Sequence, residues 1–365
     1  MFRIGFDVGG TKINAMLADQ HGKPVAMLHV PVFLKMGPKG LVSQLVFLAR
    51  CLGAAGLSGN RTKIKMQCEK IQSFLNELID EEKLHYQKVD LGQLRMVGLG
   101  KSSSKKLSQV SFIGVAIAGP LDPRSGILLN PTNLESPDSH TGKSKKWGVF
   151  RLKQELEKQL SNRWTIENDA AAATMGQYQL EKKKIKNLLV VTLGTGLGVG
   201  VICNGELVRA GRFLHTEAGH VILDSHDQLI QCGCGNFGCA ETYLGGPHFL
   251  ARVNRQFRGQ QKFESVKSLV DAADRGDELA QRALANYGKD LGQFLYSMIS
   301  IFAPEKIVLA GGMTAGSRFF LPVMQQHLRH AMRFHRVGVD LLPRVTVSKD
   351  ANSLGALGAI HLTTG

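Results

Sequence analysis

In Phe2-Arg-Ile-Gly-Phe-Asp-Val-Gly-Gly-Thr-Lys-Ile-Asn-Ala-Met-Leu-Ala18, apolar residues alternate through Ile4, Phe6 and Val8, break at Gly9-Gly10 and resume after Lys12. Period-two alternation around a glycine pair predicts strands over Phe2–Val8 and Lys12–Ala18 joined by a tight turn. Two glycines let the backbone approach a ligand closely, and successive N–H groups in such a turn form a hollow for phosphate oxygens. Gly9, Gly10, Thr11 and Lys12 would supply that hollow, a hydroxyl and a positive charge. Asp7, at the strand end, has the chemistry to hold Mg²⁺ directly or through water. On its own a Gly-Gly turn is also what any ordinary hairpin uses, so company decides.

Working outward, a third strand is predicted over Pro24–His29, and helices over 39–57 and 63–82. The second helix places Ile64, Cys68, Ile71, Leu75 and Leu78 at spacings of three and four. Residues 83–109 have weak periodicity and end in a lysine- and serine-rich loop, and Ser136–Lys146 reads as a second, basic loop. Strands are predicted at Val110–Ala116, up to Glu167, at Leu188–Leu193, Val199–Cys203, Lys306–Leu309 and 344–348. Helices follow at 150–160, 170–180, 247–257, 265–275, 277–302, 319–333 and 353–361. Leu193-Gly-Thr-Gly-Leu-Gly198 makes a second strand–glycine turn–strand unit laid out like the first, which points to an internal duplication. It lacks the following helix that a dinucleotide fingerprint needs. Instead Gly194, Thr195 and Gly196 can face the first turn's residues across the β- and γ-phosphates of a nucleotide. Mixed strands and helices in this order argue for α/β layers.

The chain has 365 residues, and at about 150 residues per domain that suggests two domains. A hydrophobic content of 43% with 21% charged residues excludes a disordered or collagen-like chain. The net charge of +15 permits nucleic-acid or anionic-lipid attraction. The basic runs carry no interleaved aromatics for base stacking, however, which argues against nucleic acid. The longest apolar run, Leu188–Cys203, is broken by four glycines and does not read as a membrane span. With no signal-peptide pattern and too few cysteines for a disulfide scaffold, a cytoplasmic, reduced protein is expected.

Cys232-Gly-Cys-Gly-Asn-Phe-Gly-Cys239, with His220 upstream, is the strongest local signal. Three thiolates and an imidazole suit tetrahedral Zn²⁺, and with all four positions filled by protein the ion is structural. Cys51, Cys68 and Cys203 sit on apolar faces and read as core. Glu167-Asn168-Asp169-Ala170 marks a strand-to-helix junction, where Asp169 is either the helix cap or a carboxylate that accepts a proton from a hydroxyl. Glu217 lies three residues before His220 and Glu241 two after Cys239, so a metal knuckle would gather Glu217, His220 and Glu241. Fixed carboxylates of this kind suit the vicinal hydroxyls of a sugar.

Together these pieces resemble the bacterial ROK family (repressors, open reading frames and sugar kinases). The matching motifs are Phe6–Lys12, Gly114-Val-Ala-Ile-Ala-Gly-Pro120, Asn130-Pro-Thr-Asn133, Glu167–Ala170, Leu193–Gly198, Glu217-Ala-Gly-His220, the cysteine string through Glu241, and Pro304-Glu-Lys-Ile-Val-Leu-Ala-Gly-Gly312. The resemblance implies a two-domain actin-like ATPase (ribonuclease H-like) α/β fold with an interdomain active-site cleft. The domains expected are 1–120, completed by 346–365, and 121–345, which carries the zinc knuckle 220–239. It implies that Asp169 is the catalytic base and that Asn133, Asn168, Glu217, His220 and Glu241 bind sugar together with Asp169. His220 would serve zinc through its other ring nitrogen. Gly311-Gly312 would form the adenosine-side turn, and Asp7 the Mg²⁺-side carboxylate. Three departures stand out. Ala171 replaces the usual Asn, Thr216 replaces the usual Gly before the sugar-binding Glu, and residues 58–109 and 136–146 are longer than the family pattern.

The implied activity is an ATP-dependent hexose 6-kinase, with ATP and Mg²⁺ as cofactors, a homodimer as the expected assembly, and no membrane partner. Eleven residues separate His220 from Cys232, a spacer resembling the glucokinase branch, so glucose is favoured. Cys239-Ala-Glu-Thr-Tyr243 also resembles N-acetylglucosamine kinases. N-acetylmannosamine kinase and fructokinase are further alternatives. The rival of another class is a sugar-responsive transcriptional regulator. Such a protein would carry a helix-turn-helix ahead of the first turn, which here begins at residue 7. Because the phosphate turns lie outside the knuckle in sequence, loss of zinc is expected to spare nucleotide binding.

Overall fold

The computed structural model describes residues 1–33, 37–80, 107–131, 134–137, 144–209, 211, 214–257, 263–334 and 342–362. The chain divides into two compact units, the first comprising Met1–Leu180, Arg209–His215 and Asn352–Gly365 and the second Glu181–Val208 and Thr216–Ala351.

In the first unit, β1 (Phe2–Val8) and β2 (Lys12–Ala18) form the hairpin, closed at the turn by Gly9 N–H donating to Lys12 O at 2.9 Å. β3 (Pro24–Pro31) continues the antiparallel edge. Helices α1 (Gly37–Gly56) and α2 (Arg61–Asp80) follow. β4 (Val110–Ile117) then pairs parallel with β1. Short strands β5 (Leu121–Asp122), β6 (Ile127–Leu129), β7 (Glu135–Pro137), β8 (Ser144–Lys146) and β9 (Val149–Phe150) precede α3 (Leu152–Gln159). β10 (Trp164–Asn168) pairs parallel with β4 and runs straight into α4 (Asp169–Leu180). The sheet order is β10-β4-β1-β2-β3.

Alternation sorts this sheet's two faces. Ile4, Phe6, Val8, Ile13 and Leu17 pack with Leu41, Leu45, Leu48 and Leu52 of α1, and Phe6 stacks on Trp164 with ring centroids 6.4 Å apart. Met16 and Ala18 instead meet the C-terminal helix Leu354–Ile360. That helix lies close against the sheet's backbone, with glycine on both sides of the contact. A Cβ at Gly5 or Gly114 would run into the carbonyl oxygens of Ala356 and Ala359.

In the second unit, β11 (Leu188–Leu193) and β12 (Leu197–Cys203) form the second hairpin, with β13 (Glu206–Leu207) beside β12. Helices α5 (Glu241–Leu244), α6 (Gly246–Gln256), α7 (Val266–Asp274) and α8 (Glu278–Phe302) come next. β14 (Lys306–Ala310), α9 (Ser317–Met332) and β15 (Arg344–Val347) complete the unit. Asp277 caps α8 by accepting from Ala280 N–H. Tyr287 and Phe320, fully buried, pack at 5.2 Å in the helical layer over the sheet. The order is β13-β12-β11-β14-β15. In each sheet one strand of a glycine-turn hairpin pairs antiparallel with its partner and parallel with a later strand, which pairs parallel with another. The likeness read from the two turns thus extends to the topology of the two sheets.

Two expectations change. Ser136–Lys146 is not simply a loop, because β7 and β8 pair with Glu135 opposite Lys146. A three-residue pairing leaves too little alternation to detect in sequence. β12 begins at Leu197 rather than Val199, which shortens the second turn to Gly194–Gly196. Residues 83–106 and 138–143 lie outside the described residues. Among the described residues, no helix is long and apolar enough to cross a membrane.

Candidate active site and metal centre

Asp7, one residue before the end of β1, is in register with Asn14 on β2. The Asn14 amide, buried, donates to Asp7 Oδ2 at 3.2 Å and to Asn352 O at 3.0 Å, while its oxygen lies 2.8 Å from His29 Nδ1. Burial pushes the Asp7 carboxyl up to about 6, aided by the negative charge of Asp169 and opposed by Asn14 and Lys12. Such a carboxylate gains from a nearby cation. Lys12 Nζ reaches Asn352 Oδ1 at 3.4 Å.

At the β10–α4 junction the two readings of Asp169 separate. Asn168 Oδ1 accepts from Ala170 N–H at 2.9 Å and Ala171 N–H at 3.1 Å, so the helix cap is chiefly Asn168. Asp169 Oδ1 also meets Ala170 N–H at 2.8 Å. Glu167, buried just before it, accepts from Asn168 N–H at 2.9 Å and pairs with Arg209. Asn14 and Arg209 were not legible as site residues. The register opposite Asp7 was a usable signal for Asn14, whereas nothing in sequence ties Arg209 to Glu167. Asn133 lies outside the described residues.

In the second unit, Gly194 N–H donates to Gly196 O at 3.1 Å. A Cβ at Gly194 or Gly312 would meet open space, and Gly311, at φ 95°, packs against the backbone of Leu193. His220, Cys232, Cys234 and Cys239 bring their ligand atoms within 4.8 Å of one another. The Cys234–Cys239 sulfurs are 3.7 Å apart, and His220 Nδ1 is 3.4 Å from Cys232 Sγ. With Zn–S near 2.3 Å, a tetrahedral S–S edge is about 3.8 Å, so the donor set fits Zn²⁺. Burial pushes the Cys232 and Cys239 thiols up, a cost that a bound cation offsets. Gly235 at φ 93° and Gly238 at φ 70° permit the reversal. His220 Nε2 points instead to Glu217 Oε2 at 3.7 Å. Thr216 anchors to β12 by donating its hydroxyl to Val199 O at 2.6 Å. Glu241 Oε2 accepts from Leu197 N–H at 3.0 Å, and its Oε1 lies 3.5 Å from Cys232 Sγ.

Repeated sheets with a glycine turn in each, one of them preceded by the Asp7 carboxylate, give an α/β protein with the actin-like ATPase fold. The ROK family model matches residues 93–365, and the chain belongs to the ROK family. It is 25% identical over 321 residues to a glucokinase of Halalkalibacterium halodurans, covering 82% of this chain and 92% of that one. It is 27% identical over 269 residues to the Escherichia coli transcriptional regulator NagC, covering 72% of this chain and 62% of the regulator. Among solved structures, the ROK hexokinase of Thermus thermophilus matches with a TM-score of 0.69 and 23% identity, over 99% of this chain and 97% of that one.

Proposed function

We propose that this protein is an ATP-dependent kinase acting on the 6-hydroxyl of a hexose, with glucose favoured. The observation that carries the reading is the β10–α4 junction, where Asn168 caps the helix and a carboxylate is kept at the strand end beside Asp7. Asp169 takes the proton of the 6-hydroxyl as that oxygen bonds to the γ-phosphorus and the bridge to ADP breaks. Gly9–Lys12 and Gly194–Gly196 position the phosphates, Gly311-Gly312 the adenosine side, and Asp7 holds the Mg²⁺ that neutralises their charge. Asn133, Asn168 through its NH₂, Glu217, His220 and Glu241 orient the sugar. Zn²⁺ on His220, Cys232, Cys234 and Cys239 supplies a rigid base for the last three.

ADP release measured against glucose, N-acetylglucosamine, N-acetylmannosamine, mannose and fructose tests this. Turnover with glucose exceeding the others is the expected result. Preference for an N-acetylhexosamine or fructose moves the assignment within the kinases. Similarity to NagC favours a regulator as the second reading, and sugar binding without any ADP release would support it.

A further inference from the structure

We infer that Glu241 is a positioning residue for the Gly194–Gly196 turn, tying that turn to the metal knuckle. The inference rests on reading this turn as a phosphate-side element. Leu197, which follows the turn, and Glu241 are 44 residues apart in sequence, but three contacts join the turn to residues 241–246. Glu241 Oε2 accepts from Leu197 N–H, the first peptide after the turn. Gly246 N–H, just beyond α5, donates to Gly194 O at 2.8 Å. Gly245 passes so close that a Cβ there would lie 2.9 Å from Thr195 O.

The support beneath the carboxylate is rigid. Glu241 opens α5 two residues after Cys239 of the candidate metal-binding set. At the other end of α5 the buried Tyr287 hydroxyl donates to Leu244 O at 3.0 Å. The carboxylate is therefore delivered from a fixed base, and a charge-assisted bond to a backbone N–H holds the turn in one shape. The fit is close on both sides, since a Cβ at Gly196 would lie 2.5 Å from Glu241 Oε2. A turn whose N–H groups face a ligand must be pre-shaped, or part of the binding energy is spent ordering it.

The test is the affinity for a non-hydrolysable ATP analogue with Mg²⁺, without sugar, on metal-replete protein. Glu241→Ala should weaken binding by about tenfold or more, the loss of one charge-assisted bond. Glu241→Gln, whose carbonyl oxygen still accepts from Leu197 N–H, should restore most of it. Gly196→Ala, which pushes the carboxylate away, should weaken binding in the wild type and add little in the Glu241→Ala background. If Gly194→Val weakens the analogue while folded Glu241→Ala binds it normally, the clamp is overturned and the phosphate-turn reading stands. If neither variant changes affinity, both fall. Should Glu241→Ala fail to fold, Gly196→Ala decides, and unchanged affinity overturns the clamp.

Discussion

A methyl group on Gly355 would lie 2.5 Å from Cγ of Asp7, so the C-terminal helix closes directly on the carboxylate near the end of β1. Gly→Ala inside a helix normally gains up to about 1 kcal/mol, while overpacking costs about 1–3 kcal/mol. The clash should win. Gly355→Ala is expected to lower stability in urea denaturation, and the same change in an Asp7→Ala background should be neutral or stabilising. A loss that persists in that background would mean the collision is not with Asp7.

Asp169→Asn should lower turnover by ~10²–10⁴-fold, the usual worth of general-base assistance. Sugar affinity and melting temperature should barely move, because Asn168 supplies the main α4 cap. Asn168→Ala should instead cost about 1 kcal/mol of stability. Steady-state kinetics with thermal melts on both variants separates the roles. More than half of wild-type turnover in Asp169→Asn would remove it as the base.

Metal loss should now affect both ligands. Structural zinc in small sites carries ~10–16 kcal/mol of apparent binding energy, which orders the chain around it. Sequence order predicted that Cys234→Ser would spare nucleotide binding. Because Glu241 of α5 and Gly246 at the start of α6 both bond the second turn, sugar and ATP-analogue affinity should fall together. Metal content and both affinities, measured on one Cys234→Ser preparation, check this. Loss of sugar binding with intact analogue binding would restore the separable view.

Burial pushes the Asp290 carboxyl up to about 6, against the pull of Arg252 and Lys289. A folded value above the unfolded value of about 4 means the folded state holds the proton more tightly. This contribution to stability is full below pH ~4 and is lost as pH rises through about 6. Asp290→Asn should therefore match the wild type near pH 4 and exceed it above pH 7, by up to about 3 kcal/mol. Urea midpoints across that range check the sign, and parallel curves for the two proteins would contradict it.

Local pattern carried much of this molecule. Alternation placed β1 and β2, and α2 was drawn by Ile64, Cys68, Ile71 and Leu75, all of which are buried. The knuckle was legible because its ligands lie within twenty residues of one another and each spacing is a local constraint. The short elements were not. α5 has four residues and β7 three, too few to show a period; β7 depends on its pairing with β8, and α5 on packing against α8, where Tyr287 meets Leu244.

What the sequence determined alone was the pair of glycine-turn hairpins, the Cys₃His set and the Asn168-Asp169 junction, because each is written in neighbouring residues whose chemistry allows few other uses. Tertiary structure decided which groups hold those pieces: Glu241 on Leu197, Arg209 on Glu167, Gly355 against Asp7. It also decided that Asn168 rather than Asp169 chiefly caps α4. A carboxylate's partner depends on which backbone N–H or guanidinium the fold brings within about 3 Å, and that is set by packing between segments far apart in the chain.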